Sequence, residues 1–128
     1  MHALLVGING HVVALHPETG QTLWKVNLCD QGLVTFATTD TLVVASGTND
    51  VLVGIDRQTG TERFRVKTSE SGKATMVLQS DCVFVVKAGV LERFGLDGQR
   101  RWREGFPGMG NRSVSLALGD QVVLADDA

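Results

Sequence analysis

The sequence predicts an all-β chain, a β-propeller-type array of tandem four-stranded antiparallel blades forming an incomplete ring. Three observations carry that expectation. A motif recurs about every 40 residues, the chain between copies breaks into short alternating apolar runs, and the composition sets 15 Gly against 2 Pro. This balance suits short strands joined by tight turns. A period near 40 residues holding about four short strands is the length of one propeller blade.

The period shows when the chain is aligned on itself. Residues 12–26 return as 51–66 and again as 90–102; Gly20, Gly60 and Gly98 stand 40 and 38 residues apart, and Trp24, Phe64 and Trp102 keep the same intervals. The repeats then cover about 3–28, 33–68 and 73–106, with a partial copy over 113–125, in a single domain spanning 1–128.

Taken in order, the first strand is expected over 3–8 and the next two flank the first turn. In the second repeat the strands fall at 33–37, 42–46, 51–55 and 62–66, separated by segments rich in Asp, Asn, Thr and Gly, the residues that hairpins need. The third repeat follows the same plan, and the chain closes on strands at 113–118 and 121–125. The expected order is three strands, two four-stranded blades and two strands. In the turn at 56–60, Gly reaches positive φ without strain, while Asp and Thr hydrogen-bond the backbone of their own turn, so the reversal and the register are set together. The aromatic four residues past the Gly then lies on the fourth strand, where it is expected to pack between blades.

With those residues named, a resemblance becomes specific. The pattern apolar-Ala-Leu-Asp-x-x-Thr-Gly-x-x-x-Trp marks the blades of quinoproteins, and the chain resembles that PQQ-binding-like family at 14–24, 54–64 and, with a shortened turn, 95–102. His16-Pro17 stands where Asp is usual, and Phe64 replaces Trp. The resemblance implies blades around a central channel with the first strand of each innermost. Quinone-dependent dehydrogenases of the family use about eight blades, a calcium ion, an Asp base and often a vicinal disulfide. None of these carries over to a residue here, so no catalytic residue, no metal ligand and no cofactor is expected. Cys29 and Cys82 lie far apart and are read as buried free thiols; Asp40, Asp81 and Asp120 are read as turn formers. His2, His11 and His16 are read as exposed turn residues, since His11 and His16 flank a strand about 16 Å long.

The fourth strands carry the candidate partner-binding residues. Arg63, Arg65 and Lys67 alternate with Phe64 and Val66, and Arg101 and Arg103 flank Trp102. Such a row either docks an acidic partner or protects the exposed blade edge from pairing with other strands. Phe106 and Met109, in the irregular loop at 105–112, suit a partner surface or a packing role between blades.

The net charge of −2 argues against nucleic acid and anionic membranes as partners. The N-terminal apolar run lacks a basic flank or cleavage pattern, and no stretch approaches the ~18 apolar residues of a membrane span. A cytoplasmic location is expected, or a periplasmic one if the chain is a fragment. The expected function is a non-enzymatic repeat module acting as a protein-interaction platform, with a protein partner or a second copy of itself, self-associating as a homo-oligomer to complete a ring. The alternative is a fragment or degenerate relative of a quinone-dependent dehydrogenase, or a ligand-binding periplasmic propeller.

Overall fold

Strands of four to six alternating residues bury one face only when a neighbour covers it, so each run pairs with the next as an antiparallel hairpin and the sheets then stack. The computed structural model describes residues 2–110 and 114–123. Among them lie β1 (Leu4–Ile8), β2 (His11–Leu15), β3 (Thr22–Asn27), β4 (Thr35–Thr38), β5 (Leu42–Ser46), β6 (Val51–Asp56), β7 (Glu62–Lys67), β8 (Thr75–Leu78), β9 (Cys82–Lys87), β10 (Val90–Gly95), β11 (Arg100–Glu104), β12 (Leu116–Leu118) and β13 (Gln121–Val123). They form sheets β1-β2-β3, β4-β5-β6-β7, β8-β9-β10-β11 and β12-β13, which we call blades 1 to 4. This is the predicted strand order. The strand expected from residue 33 begins at Thr35, and residues 113, 124 and 125 of the last two expected strands lie outside the described residues.

Alternation assigns the two faces of blade 2 to two cores. Val43, Ala45, Val53 and Ile55 meet Val12, Ala14, Trp24 and Val26 of blade 1. The residues between them, Leu42, Val44, Leu52 and Phe64, meet Met76, Leu78, Val83, Val85 and Phe94 of blade 3. In each seam the fourth-strand aromatic reaches forward onto the turn glycine of the next blade. A Cβ on Gly60 would lie 2.6 Å from Trp24 Cγ, and one on Gly98 would lie 2.9 Å from Phe64 Cβ, so any other residue would push the blades apart. Trp24 Nε1 also donates to the carbonyl of Arg57, at 3.0 Å.

Trp102 departs from the expected packing: it is 42% exposed, because the outer strands of a following blade are absent from the described residues. Its ring instead lies tilted against Phe84, centroids 6.0 Å apart. Cys82 is buried as expected, whereas Cys29 is half-buried, its thiol donating to the carbonyl of Gln31.

Two charged side chains are buried between blades 2 and 3. Lys87 Nζ donates to the carbonyls of Asn49 at 2.6 Å and Gly47 at 3.2 Å, tying blade 3 to a hairpin loop of blade 2. Glu92 accepts from Ser69 N at 2.8 Å, Ser69 Oγ at 3.1 Å and Arg100 Nη1 at 3.2 Å. Burial outweighs the nearby Asp50 and pulls the Lys87 ammonium down to about 8.

Two outcomes are expected. Trp24→Ala should lower the unfolding free energy by about 3–5 kcal/mol, as for other buried large-to-small changes, and Trp102→Ala by only about 1 kcal/mol, both read from urea titrations. Equal losses would contradict the seam described. Because the folded chain holds Lys87 below its unfolded value of 10.5, it binds fewer protons than the unfolded chain between pH 8 and 10.5, so stability should rise with pH across that window. The rise should be on the order of 3 kcal/mol, and Lys87→Met should abolish this slope.

Candidate functional site

A β-bulge sits at the same place in blades 1, 2 and 3. The register shifts between Ala14 and Leu15, between Gly54 and Ile55, and between Arg93 and Phe94, which leaves Leu23, Arg63 and Arg101 as the extra residues on their fourth strands. A bulge re-aims the side chain it carries. Arg63 thereby turns onto Asp56 of its own turn, at 2.8 Å, and Arg101 onto Asp97, at 3.1 Å. Asp56 Oδ1 accepts from the backbone N–H groups of Gln58 and Thr59, both at 3.0 Å. Arg63 first, and those N–H groups with it, hold the Asp56 carboxyl at about 2. Asp97 is lowered too, chiefly by the N–H of Gln99 and then by Arg101. In blade 1 the imidazole Nδ1 of His16 takes over the Asp role, accepting from Glu18 N at 3.2 Å.

The next arginine along reaches backward. Arg65 pairs with Glu62 and donates to the carbonyl of Asn27 in blade 1, at 2.7 Å. Its equivalent Arg103 donates to Ser69 Oγ at 3.2 Å and faces Glu70 at 3.8 Å, on the link from blade 2. Lys67 is exposed and makes no ion pair among the described residues. The cationic row is therefore brought together along two neighbouring fourth strands, with four of its five charges engaged by groups of the chain itself.

Phe106 and Met109 lie on the loop past β11. Phe106 is half-buried with φ +48°, its N–H donating to the Glu104 carboxylate at 2.8 Å, whereas Met109 is 79% exposed. Asn111 and Arg112 of that loop lie outside the described residues. Sequence reasoning missed Lys87 and Glu92; a charge set in an otherwise apolar strand was the available signal.

Two clefts border the inner strands. One, of about 660 Å³, runs along β4, β8 and β13, lined by Thr35, Thr38, Lys73, Thr75, Asp120 and their neighbours. Asp120 is the single carboxylate among its described lining residues, and one carboxylate beside Lys73 does not make the anionic oxygen cage that holds calcium, so the residues do not fit the metal of the quinone enzymes. No group of three or more His, Cys, Asp or Glu that could hold a metal occurs among the described residues. The other cleft, of about 180 Å³, is apolar and lies between blades 3 and 4, lined by Val77, Phe84, Leu91, Trp102 and β12.

The comparisons with known proteins agree with this architecture. A family model described as outer membrane protein assembly factor BamB matches residues 9–128. No curated protein sequence matches the chain. Among solved structures, the chain resembles the computationally designed protein Ika8 at TM-score 0.81 and 17% identity, covering 99% of this chain and 41% of that one. BamB from Moraxella catarrhalis superposes at TM-score 0.73 and 19% identity, over 92% of this chain and 38% of that one. A europium-containing methanol dehydrogenase superposes at TM-score 0.63 and 14% identity, over 80% and 23%. At these identities the likeness concerns the fold, and the chain spans about two-fifths of the first two neighbours. With repeat, bulge, seam and family match in agreement, the chain belongs to the PQQ-like β-propeller repeat family whose model carries the BamB description.

Proposed function

We propose that this chain is a non-catalytic propeller module that acts as a protein-interaction platform through the uncovered face of blade 1, taking up a second copy of itself or a partner chain. One observation carries this reading. Leu4, Val6, Val13 and Leu15 of blade 1 occupy the register positions that Val43, Ala45, Val53 and Ile55 hold in blade 2. The blade 2 residues are fully buried, whereas Leu4 is 53% exposed and its three companions are half-buried. A blade face of this kind gains stability only when another blade covers it. The arginines of the cationic row are engaged by groups of the chain itself, within their blades or on the blade before, which favours the uncovered face of blade 1 over the outer rim as the docking surface.

The module reading separates from a quinone-dependent enzyme by experiment. With added PQQ, calcium and an alcohol, the purified chain should show no turnover and no change in melting temperature, while light scattering at high micromolar concentration should give a mass above the 13.7 kDa of one chain. A calcium- or quinone-dependent rise of several degrees would sink this reading, because a ligand that binds the folded state stabilises it by mass action.

A further inference from the structure

The hairpin between β1 and β2 holds the single Asn-Gly pair of the sequence, since Asn27, Asn49 and Asn111 precede Leu28, Asp50 and Arg112. Ile8 pairs with His11, so Asn9 and Gly10 make a two-residue turn, with φ of +48° and +81°. Two positive φ values match the twist of the flanking strands, and Asn-Gly suits them well. The blade 3 hairpin reaches the same geometry with Ala88 and Gly89, at +49° and +78°. The turn therefore does not require a side-chain amide, and Asn9 places one directly before a glycine nitrogen.

That pairing is reactive. Gly10 has no Cβ to shield its backbone nitrogen. Once this nitrogen has given its proton to hydroxide it can attack Asn9 Cγ; the N–Cγ bond forms, the Cγ–Nδ2 bond breaks, and ammonia leaves with a proton supplied by water. Water then opens the five-membered imide. Breaking the new N–Cγ bond gives aspartate, and breaking the bond from Gly10 N to the Asn9 backbone carbonyl carbon gives isoaspartate. Water is the only co-reactant and nothing is oxidised or reduced.

The link from blade 1 to blade 2 restrains both reacting groups. Asn9 is exposed but Gly10 is buried. The Gly10 N–H donates to the carbonyl of Gly32 at 2.8 Å, and its carbonyl accepts from Leu28 N at 2.8 Å and Cys29 N at 3.2 Å. Asn9 Oδ1 accepts from Gly32 N at 3.4 Å. Any Cβ on Gly10 would collide with the carbonyl of Cys29. In this clasp the nitrogen that must lose its proton is hydrogen-bonded, and the side chain it must attack is drawn toward Gly32.

We propose that Asn9 is a site of spontaneous deamidation gated by the clasp, so that the modification records openings of residues 28–32 away from the hairpin. This inference is independent of the platform reading. The two products differ in consequence. Aspartate still offers an oxygen to the Gly32 N–H, whereas isoaspartate inserts a methylene into the main chain of a two-residue turn. Gly10 then no longer reaches Gly32, Leu28 and Cys29 together, and the link between blades 1 and 2 loses its clasp.

Peptide mapping tests the proposal. Trypsin releases residues 1–25 as one peptide with Asn9 its only asparagine, so replacement of the amide by a hydroxyl reads out as a mass change there. In mildly alkaline buffer the folded chain should convert more slowly than the chain in concentrated urea, by about tenfold or more, because reaction waits for local opening. Gly32→Ala weakens the clasp, since Gly32 has φ +105° and its Cβ would lie 3.0 Å from Thr48 Oγ1. It should speed both hydrogen exchange at the Gly10 amide and conversion of Asn9 in buffer, and leave the rate in urea unchanged; urea below the unfolding transition serves the same purpose if the variant does not fold. The isoaspartate form should melt below the parent chain, while Asn9→Asp should melt with it. No conversion in urea, equal rates in buffer and urea, or faster exchange at Gly10 without faster conversion would each overturn the proposal.

Discussion

The approach of an aromatic ring onto a turn glycine of the neighbouring blade is the contact on which the rest of the architecture depends. It sets how closely two sheets come together, because the ring fills the space that a Cβ on Gly60 or Gly98 would take. Once that spacing is set, the alternating side chains of blade 2 are divided between two cores, and residues such as Val43, Val44, Leu52 and Val53 become fully buried. At about 1.5–3 kcal/mol for each large apolar side chain, these stacked faces outweigh the surface ion pairs, which contribute about 0–1 kcal/mol each.

That comparison clarifies the work of the arginines. Arg63 and Arg101 brace the turns that carry the receiving glycines, and Arg65 and Arg103 lace a fourth strand to the blade before it. Their charge also lies along β7 and β11, the outer edges of their sheets, where unpaired backbone groups would otherwise invite another strand. Blade 1 lacks this equipment: Leu23 and Lys25 stand in the corresponding places, and β1 carries no charged residue. The sheets are thus asymmetric: β7 and β11 carry laced cations, whereas β1 is apolar and uncharged.

The buried charges follow a different logic. Lys87 and Glu92 are each surrounded by polar partners in the seam between blades 2 and 3, where an unpaired charge would be costly. Their hydrogen bonds tie strand ends to neighbouring loops and restrict the two blades to one relative position. In this repeat family member, the polar groups buried between blades 2 and 3 serve the seam.

The sequence by itself determined the period, the strand order and the places of the turns, because Gly, Asp and Thr act on the backbone within a few residues of themselves. Gly60, Asp56 and Thr59 do so in the way their spacing implies. The cationic row was legible as well, since residues alternating along an edge strand share a face. Which way its charges point was not, because the bulge that turns Arg63 and Arg101 onto their own turns arises from pairing with the third strand. Nor did equal spacing reveal that Trp24 and Phe64 are covered while Trp102 is not. Only the tertiary structure decided that, because burial depends on whether another sheet lies against a residue, and such contacts join positions more than 30 residues apart, as Trp24 and Arg57 do.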